Sequence, residues 1–346
     1  MPNLAVMNQK VDILLTEAGN LIGFQVLRSL ASHGLRVCVC DTDTGGKSFT
    51  SGLAADQWKS LPSRDEYNFI RQVREYAEKS GVSMILPIFH PEVLSRHRKE
   101  FPGIIIPVET EDKLMRLDDK TSACDLAAGL GIFQPRRFSS PAEVSTFPAV
   151  FRRNLGHGGD SVYFPKDRKA LENLTKSSKE GTYIITEYSE GSDISIDALR
   201  WGDFFCCGAY RTILPHGKGN SILRESISAP AAADALKLML DALDYNGVCG
   251  ADFRIGKDGR PYFLECNPRF SGGLCSQTAS GIDLPWMLWQ VANGEAAELP
   301  NFRPGIRTRS ISGSRDWLNH ELRRGRFPIA DLCRIFLHSA DAYDDL

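Results

Sequence analysis

The chain has 346 residues, of which 42% are hydrophobic and 24% are charged, and its formal net charge is −2. This length predicts two or three structural units with a sizeable core. The small net charge gives no electrostatic basis for nucleic-acid binding, and no apolar run is long enough to cross a membrane. No secretory signal is visible, so we expect a cytoplasmic protein without nucleic-acid or membrane partners.

The first part of the chain alternates strands and helices. Such alternation predicts a parallel sheet with helices on its faces, as in a Rossmann-like α/β domain, and we assign this domain to residues 1–108. The predicted elements are a strand at 11–15, a helix at 21–33, a strand at 37–40, a turn-rich stretch at 42–52, a helix at 66–79, a strand at 84–87, a basic helix and a strand at 104–107.

The remainder of the chain mixes strands and helices without strict alternation, and we divide it into units at 109–200, 201–300 and 301–346. The basic segment 303–326 is compatible with packing on the preceding unit, with binding a partner, or with a solvated face. The predicted elements are a helix at 110–130, two strands around a glycine-rich turn at 148–165, a helix at 167–178, strands at 183–187 and 194–199, strands around 203–213, a helix at 231–245, and strands at 249–255 and 262–266.

Two weak nucleotide motifs occur in the first domain. Gly19 and Gly23 suggest the dinucleotide fingerprint, but its first glycine is missing, and Asp41 lies where such folds place a ribose-binding acid. A nicotinamide-dependent oxidoreductase is therefore one alternative. The sequence at 45–48 resembles the end of a phosphate loop, but the required earlier glycine is absent.

The strongest motif is the hairpin at residues 249–273, whose two arms meet at the Asp258-Gly259 turn. Residues two apart on a strand share a face, so Glu265 and Asn267 point together. Asp252 on the other arm joins them. Hard oxygen ligands of this kind suit Mg²⁺ or Mn²⁺. Arg269 lies two residues further along the same face, where it is able to contact a phosphate.

With these residues in place, the chain resembles the ATP-grasp superfamily over residues 11–300, and in particular single-chain proteins related to the carbamoyl phosphate synthetase large subunit. The resemblance implies a two-subdomain ATP-grasp fold after the N-terminal domain, with ATP and Mg²⁺ (or Mn²⁺) as cofactors. It also implies that Asp252, Glu265 and Asn267 hold the metals, and that Arg269 contacts the transferred phosphoryl group.

The resemblance assigns further cofactor-binding residues. The segment 184–197 resembles the hinge strand of the superfamily, which implies that Glu187 and Tyr188 face adenine and that Asp193 contacts ribose. Lys120 corresponds to a lysine that reaches the phosphates. Arg152 stands where many members carry lysine, and its guanidinium is able to neutralise a phosphate.

The glycine-rich turn between the strands at 148–165 resembles the flexible loop that closes over the phosphates. Its Gly156, Gly158 and Gly159 permit close approach of the backbone to phosphate. The basic residues Arg211, Lys218 and Arg224 precede the metal hairpin. Members of the superfamily use basic residues in this region to bind the carboxylate substrate or to stabilise the tetrahedral intermediate. We assign this role to Arg224, and a solvated basic loop stays an equal alternative.

The expected activity is an ADP-forming carboxylate–amine ligase that works through an acyl phosphate. Its expected partners are two small molecules, with amino acids favoured, and a homodimer is the default assembly. Two alternatives share the nucleotide site. One is a non-catalytic ATP-binding protein, and the other is a phosphotransfer enzyme of the carbamoyl phosphate type.

Overall fold

The N-terminal unit contains a four-stranded parallel sheet with strand order β3-β2-β1-β4. The protein is represented by a computed structural model that describes residues 10–154, 162–179, 181–216, 220–325, 329 and 340–345. The elements of this unit are β1 (Ile13–Thr16), α1 (Leu21–Ser32), β2 (Val37–Asp41), α2 (Lys47–Thr50), β3 (Asp56–Lys59), α3 (Glu66–Ser80), β4 (Met84–Pro87) and α4 (Pro91–Arg96).

Local sequence explains the boundaries of these elements. The strands β1, β2 and β4 are short apolar runs buried on both faces, as parallel strands covered by helices are. Helix α1 begins after Asn20, whose side chain accepts a hydrogen bond from the Gly23 amide at 3.0 Å. Helix α3 ends at Gly81, which takes the left-handed conformation that a glycine adopts without steric cost.

Three details of the predicted secondary structure were wrong. The strand expected at 104–107 forms only an isolated bridge between Met84 and Ile105. The edge strand β3 was not predicted, since its largely exposed residues carry no apolar pattern. The single helix expected at 110–130 is two helices, α5 (Glu111–Asp118) and α6 (Lys120–Gly129), because Asp119 takes an extended conformation and caps the second with its side chain.

A small antiparallel sheet follows, with strand order β5-β8-β6-β7. Its apolar side packs on α7 through a cluster that includes Phe151, Leu171 and Ile185. The turn between β6 and β7 lies outside the described residues. The elements are β5 (Arg137–Phe138), β6 (Ala149–Arg153), β7 (Val162–Tyr163), α7 (Arg168–Lys176) and β8 (Tyr183–Glu187).

A seven-stranded sheet forms the rest of the molecule, with strand order β13-β12-β9-β10-β11-β14-β15. The unit boundaries at 108, 200 and 300 stay predictions. The elements are β9 (Gly191–Trp201), β10 (Phe204–His216), β11 (Asn220–Ile227), α8 (Pro230–Ala242), β12 (Gly247–Gly256), β13 (Pro261–Asn267), α9 (Leu274–Ala279), α10 (Leu284–Ala292), β14 (Arg307–Arg309), α11 (Ile311–Arg323) and β15 (Ala342–Tyr343).

The two faces of this large sheet differ in polarity. One face carries Ile194, Ile196 and Phe253 into an apolar core shared with α5, α6 and α8. The other face carries charged and polar side chains at the alternate positions, among them Asp197 and Asp252. The described part of the basic segment packs against the sheet, because β14 pairs with β11 and Trp317 of α11 joins an apolar cluster with Leu223.

Among the described residues, no helix has the length and hydrophobicity needed to cross a membrane.

Candidate functional site

The polar face of the large sheet brings the predicted metal-binding residues together. Asp252 on β12 is directly opposite Glu265 on β13, and Asn267 lies two residues further along β13, opposite Gly250. Residues directly opposite on antiparallel strands have neighbouring side chains. The structure therefore shows two carboxylates and an amide on one surface, as the hairpin pattern predicted.

Both carboxylates have polar neighbours from other elements. The Ser195 hydroxyl on β9 donates to Asp252 at 2.6 Å, and the Lys120 ammonium lies 3.4 Å from Glu265. Burial, with the nearby charge of Glu265, raises the pKa of the Asp252 carboxyl above its usual range. A cation placed between the two carboxylates would oppose this effect, because it favours their charged forms.

The donor set decides which metal fits. The described residues contain no group of three or more His, Cys, Asp or Glu side chains arranged to hold a metal ion. Two carboxylates and an amide are thus too few for a metal site built from protein ligands alone. They match the way Mg²⁺ binds, with one or two carboxylates and the remaining positions filled by phosphate oxygens and water.

Two buried cations flank the carboxylates. Lys120 is 4% exposed and Arg152 is 5% exposed. Arg152 donates from Nη1 to the Leu264 carbonyl at 2.9 Å, while its Nε has no hydrogen-bond partner among the described residues. A buried guanidinium with an unused donor is costly in isolation, so its position favours a role toward an anion.

Arg269 extends this charged surface toward the N-terminal unit. Its Nη2 donates to Asn267 Oδ1 at 3.1 Å, and its guanidinium lies 4.9 Å from the centre of the Phe89 ring. Burial lowers the pKa of Arg269, against the opposing charges of Asp118 and Glu265. The side chain is therefore held between the hairpin and the residues that follow β4.

The predicted hinge residues lie at the end of the small sheet and the start of β9. Glu187 accepts a hydrogen bond from the Arg136 amide at 3.0 Å. Tyr188 is 41% exposed and lies beneath the Arg254 guanidinium, 5.4 Å from the ring centre. Asp193 forms a two-point ion pair with Arg254, at 2.6 and 2.9 Å. Glu187 is the last residue of β8 in the small sheet, and Asp193 lies near the start of β9 in the large sheet.

Arg224 occupies the same polar face at a greater distance along the sheet. It is buried and pairs with Asp344 through a contact of 2.5 Å, between residues 120 positions apart in the chain. Asp344 is itself fully buried. Gly156, Gly158, Gly159 and Lys218 lie outside the described residues, so the predicted phosphate loop stays a prediction.

Sequence reasoning missed a group of buried polar residues beside Arg224. Asp197 is 2% exposed and accepts a hydrogen bond from Gln277 of α9 at 3.2 Å. Burial raises the pKa of Asp197 to about 6, although Ser271, Gln277 and nearby arginines lower it. The alternation of Asp193, Ser195 and Asp197 along β9 indicates that these polar side chains share one face of the strand, so Asp197 could have been predicted from the sequence. The partner Gln277 on α9 and Asp344, which follows β15, have no local sequence pattern that marks them.

Glycines permit this close packing. A Cβ at Gly273 would lie 2.2 Å from the ring of Tyr210, and a Cβ at Gly208 would lie 2.0 Å from Gln277 Oε1. Tyr210 is buried and lies between Asp197 and Arg224 in charge range of both. Helix α9 therefore packs directly on the polar face of the sheet only because both positions lack a side chain.

The residues of the dinucleotide-like motif in the first domain bond to and pack against one another. Asp41 Oδ2 accepts a hydrogen bond from the Gly19 amide at 2.7 Å. A Cβ at Gly46 would lie 2.0 Å from the Gly19 carbonyl, so the loop after β2 packs on the glycine turn. In a dinucleotide site this turn has to receive a pyrophosphate. The packing disfavours the nicotinamide alternative.

Comparison with known proteins agrees with the class of fold that these features define. Residues 179–314 match the family model described as ATP-grasp in the biosynthetic pathway with Ter operon. The predicted resemblance to the ATP-grasp superfamily is thereby confirmed, and the closer likeness to carbamoyl phosphate synthetase stays a prediction. No match is found among curated proteins.

Solved structures share this fold at low sequence identity. Biotin carboxylase from Campylobacter jejuni, in a β-γ-ATP complex, superposes with a TM-score of 0.69 at 15% identity, over 88% of this chain and 75% of its own. An L-amino acid ligase from Bacillus licheniformis gives 0.66 at 18% identity, over 87% and 79%.

The biotin carboxylase domain of the Hydrogenobacter thermophilus 2-oxoglutarate carboxylase, in complex with MgADP and bicarbonate, gives 0.68 at 13% identity, over 87% and 74%. The predicted fold class, an N-terminal parallel α/β domain followed by an ATP-grasp fold, is confirmed.

Proposed function

We propose that the protein is an ATP- and Mg²⁺-dependent ligase that activates a carboxylate as an acyl phosphate and joins it to an amine. The observation that carries this proposal is the convergence of Asp252, Glu265 and Asn267 of the large sheet with three cations, Lys120 at the start of α6, Arg152 on β6 and Arg269 after β13. Solved structures of the same fold include complexes with β-γ-ATP and with MgADP, and one of them is an L-amino acid ligase.

In this proposal the acidic residues bind the metal and the basic residues bind phosphate. Asp252, Glu265 and Asn267 would hold Mg²⁺, which would supply positive charge against the negative charge that develops during phosphoryl transfer. Lys120 and Arg152 bind phosphate oxygens. Both are buried, and donors in a water-excluded site stabilise charge more strongly than donors in water do. Nucleotide binding also separates Lys120 from Glu265, leaving the carboxylate to the metal.

The hinge residues position the nucleoside. Glu187 and Tyr188 lie at the adenine end in this proposal, and Asp193 faces the ribose. The ion pair between Asp193 and Arg254 fixes the carboxylate on the strand. Since phosphoryl transfer depends mainly on positioning and electrostatic stabilisation, this binding sets the γ-phosphate beside Arg269.

The bond changes balance without a nucleophile from the protein. An oxygen of the substrate carboxylate bonds to the γ-phosphorus as the bond to the ADP oxygen breaks. The amine nitrogen then bonds to the acyl carbon as the carbon–oxygen bond to phosphate breaks. The amine proton passes to water, and the products are an amide, ADP and phosphate. Arg269 faces the oxygens that gain charge in the first step.

The test is release of ADP and phosphate from Mg-ATP with amino acids offered singly and in pairs. We expect release that depends on particular substrates and is lost in Glu265→Ala. Glu295→Ala, which removes an exposed carboxylate in the segment after α10, should match the wild type. Tight ATP binding without substrate-dependent ADP release would contradict ligation and favour a non-catalytic ATP-binding protein.

A further inference from the structure

A short segment, residues 188–190, connects the small sheet to the large sheet. Strand β8 ends at Glu187 and strand β9 begins at Gly191. In the proposed function, Glu187 and Tyr188 lie at the adenine end of the nucleotide, and Asp193 near the start of β9 faces the ribose. The position of this connecting segment on the large sheet therefore decides how the nucleoside is held.

Arg254 of β12 joins the connecting segment to the ribose-facing carboxylate. It is directly opposite Asp193 in the register of β12 and β9. Its Nε and Nη2 donate to the two carboxylate oxygens of Asp193 at 2.6 and 2.9 Å. Its Nη1 donates to the carbonyl oxygen of Ser189 in the connecting segment at 2.8 Å. One guanidinium thus bonds to both parts of the proposed nucleoside site.

A third contact of Arg254 is with the Tyr188 ring. The guanidinium lies 5.4 Å from the centre of this ring, within the range of a cation–π interaction. The ring of Phe164 meets the Tyr188 ring edge to face, with 6.0 Å between the ring centres. Two protein groups therefore hold the Tyr188 side chain, and Arg254 is one of them.

Burial distinguishes Arg254 from a partner in an ordinary surface ion pair. The Arg254 side chain is 16% exposed, whereas the Asp193 side chain is 60% exposed. A planar guanidinium fits a carboxylate by two parallel hydrogen bonds, which fixes the orientation of the carboxylate. A carboxylate has about four acceptor positions. Asp193 therefore keeps acceptor capacity on its exposed side for further donors such as hydroxyl groups.

We propose that Arg254 is a positioning residue for the nucleoside, which orients the Asp193 carboxylate toward the ribose hydroxyls and fixes the connecting segment beside adenine. The inference rests on the proposed function, because it takes the nucleotide to bind at the hinge residues. It adds a preference for ribose over deoxyribose, since a site built to bond hydroxyl groups binds less tightly an analogue that lacks them. Sequence reasoning assigned no role to Arg254.

The experiment is isothermal titration calorimetry with Mg-ATP and with the Mg complex of 2′,3′-dideoxy-ATP. For the wild type we expect a Kd for the dideoxy nucleotide about tenfold above that for ATP. In Arg254→Ala, the Kd for Mg-ATP should rise about tenfold, and the ratio between the two nucleotides should fall below about threefold. Arg254→Lys keeps the charge without the two-point geometry, so it should also lose most of the discrimination.

Two further variants show whether the effect is specific. Lys257→Ala is the matched control, because Lys257 follows β12 and pairs with Glu190 of the same connecting segment, but both side chains are largely exposed. Such exposed pairs contribute little, so this variant should match the wild type. Asp193→Asn should lower the discrimination as Arg254→Ala does. Adding Arg254→Ala to it should leave the ratio unchanged, because the two residues act in one interaction.

Wild-type discrimination in both Arg254 variants would overturn the inference. Equal losses of affinity for the two nucleotides would also overturn it, because they would show a structural role without a preference for ribose. If thermal unfolding shows that Arg254→Ala does not fold, Arg254→Lys decides. A wild type that binds Mg-ATP without discrimination overturns this inference alone. A wild type that discriminates but releases no ADP with any substrate overturns the ligase function alone, and one that does not bind Mg-ATP overturns both.

Discussion

The buried carboxylate Asp197 should make the stability of the protein depend on pH in a way that one substitution removes. Its pKa is raised from an ordinary value of 3.8 to about 6, mainly because burial penalises the charged form. Asp197→Asn keeps the shape of the side chain and removes the titration. The comparison therefore isolates the energetic effect of one ionisation.

The magnitude follows from the two pKa values. A difference of this size corresponds to about 3 kcal/mol. Because the pKa is higher in the folded state, the stabilisation is present in full below the ordinary pKa and is lost as the pH rises through about 6. Between about pH 3 and pH 7, the wild type should lose about 3 kcal/mol relative to Asp197→Asn.

The assay is urea unfolding of both proteins, followed by tryptophan fluorescence across this pH range without nucleotide. The quantity of interest is the difference between the two free energies of unfolding, in which titrations common to both proteins cancel. A difference that stays constant with pH would show that Asp197 has the same pKa folded and unfolded, and would refute the reasoning from burial.

Two further substitutions test the packing around this residue. Gly273→Ala should destabilise the protein by about 1–3 kcal/mol, because its Cβ would lie 2.2 Å from the buried Tyr210 ring; an unchanged melting temperature would contradict the close approach. Asp344→Leu should lower the free energy of unfolding by about 3–5 kcal/mol, because Arg224 is left buried without its partner. Adding Arg224→Met to this variant should restore much of the lost stability, as measured by urea unfolding.

The sequence was sufficient to predict the hairpin that brings Asp252, Glu265 and Asn267 together, because the pattern is local. Asp252, Glu265 and Asn267 follow from strand alternation and one tight turn, and the register that pairs Asp252 with Glu265 needs nothing from elsewhere in the chain. The parallel sheet was predictable for a similar reason, because strands such as β1 and β2 are short apolar runs that alternate with helices.

Features that depend on tertiary contacts were not predictable in the same way. The exposed strand β3 forms because β2 offers it a free edge, and its own residues carry no apolar pattern. The pairing of Arg224 with Asp344 joins residues 120 positions apart. The strand order of the N-terminal sheet was also undetermined, because alternation of strands and helices alone does not fix it.

The most direct test of the central claim follows the oxygen atoms of the carboxylate substrate. A substrate labelled with heavy oxygen in its carboxylate is incubated with the enzyme, Mg-ATP and the amine, and the products are analysed by mass spectrometry. Activation as an acyl phosphate predicts that one labelled oxygen appears in inorganic phosphate for each amide formed. Label in AMP, or unlabelled phosphate beside labelled amide, would contradict the account.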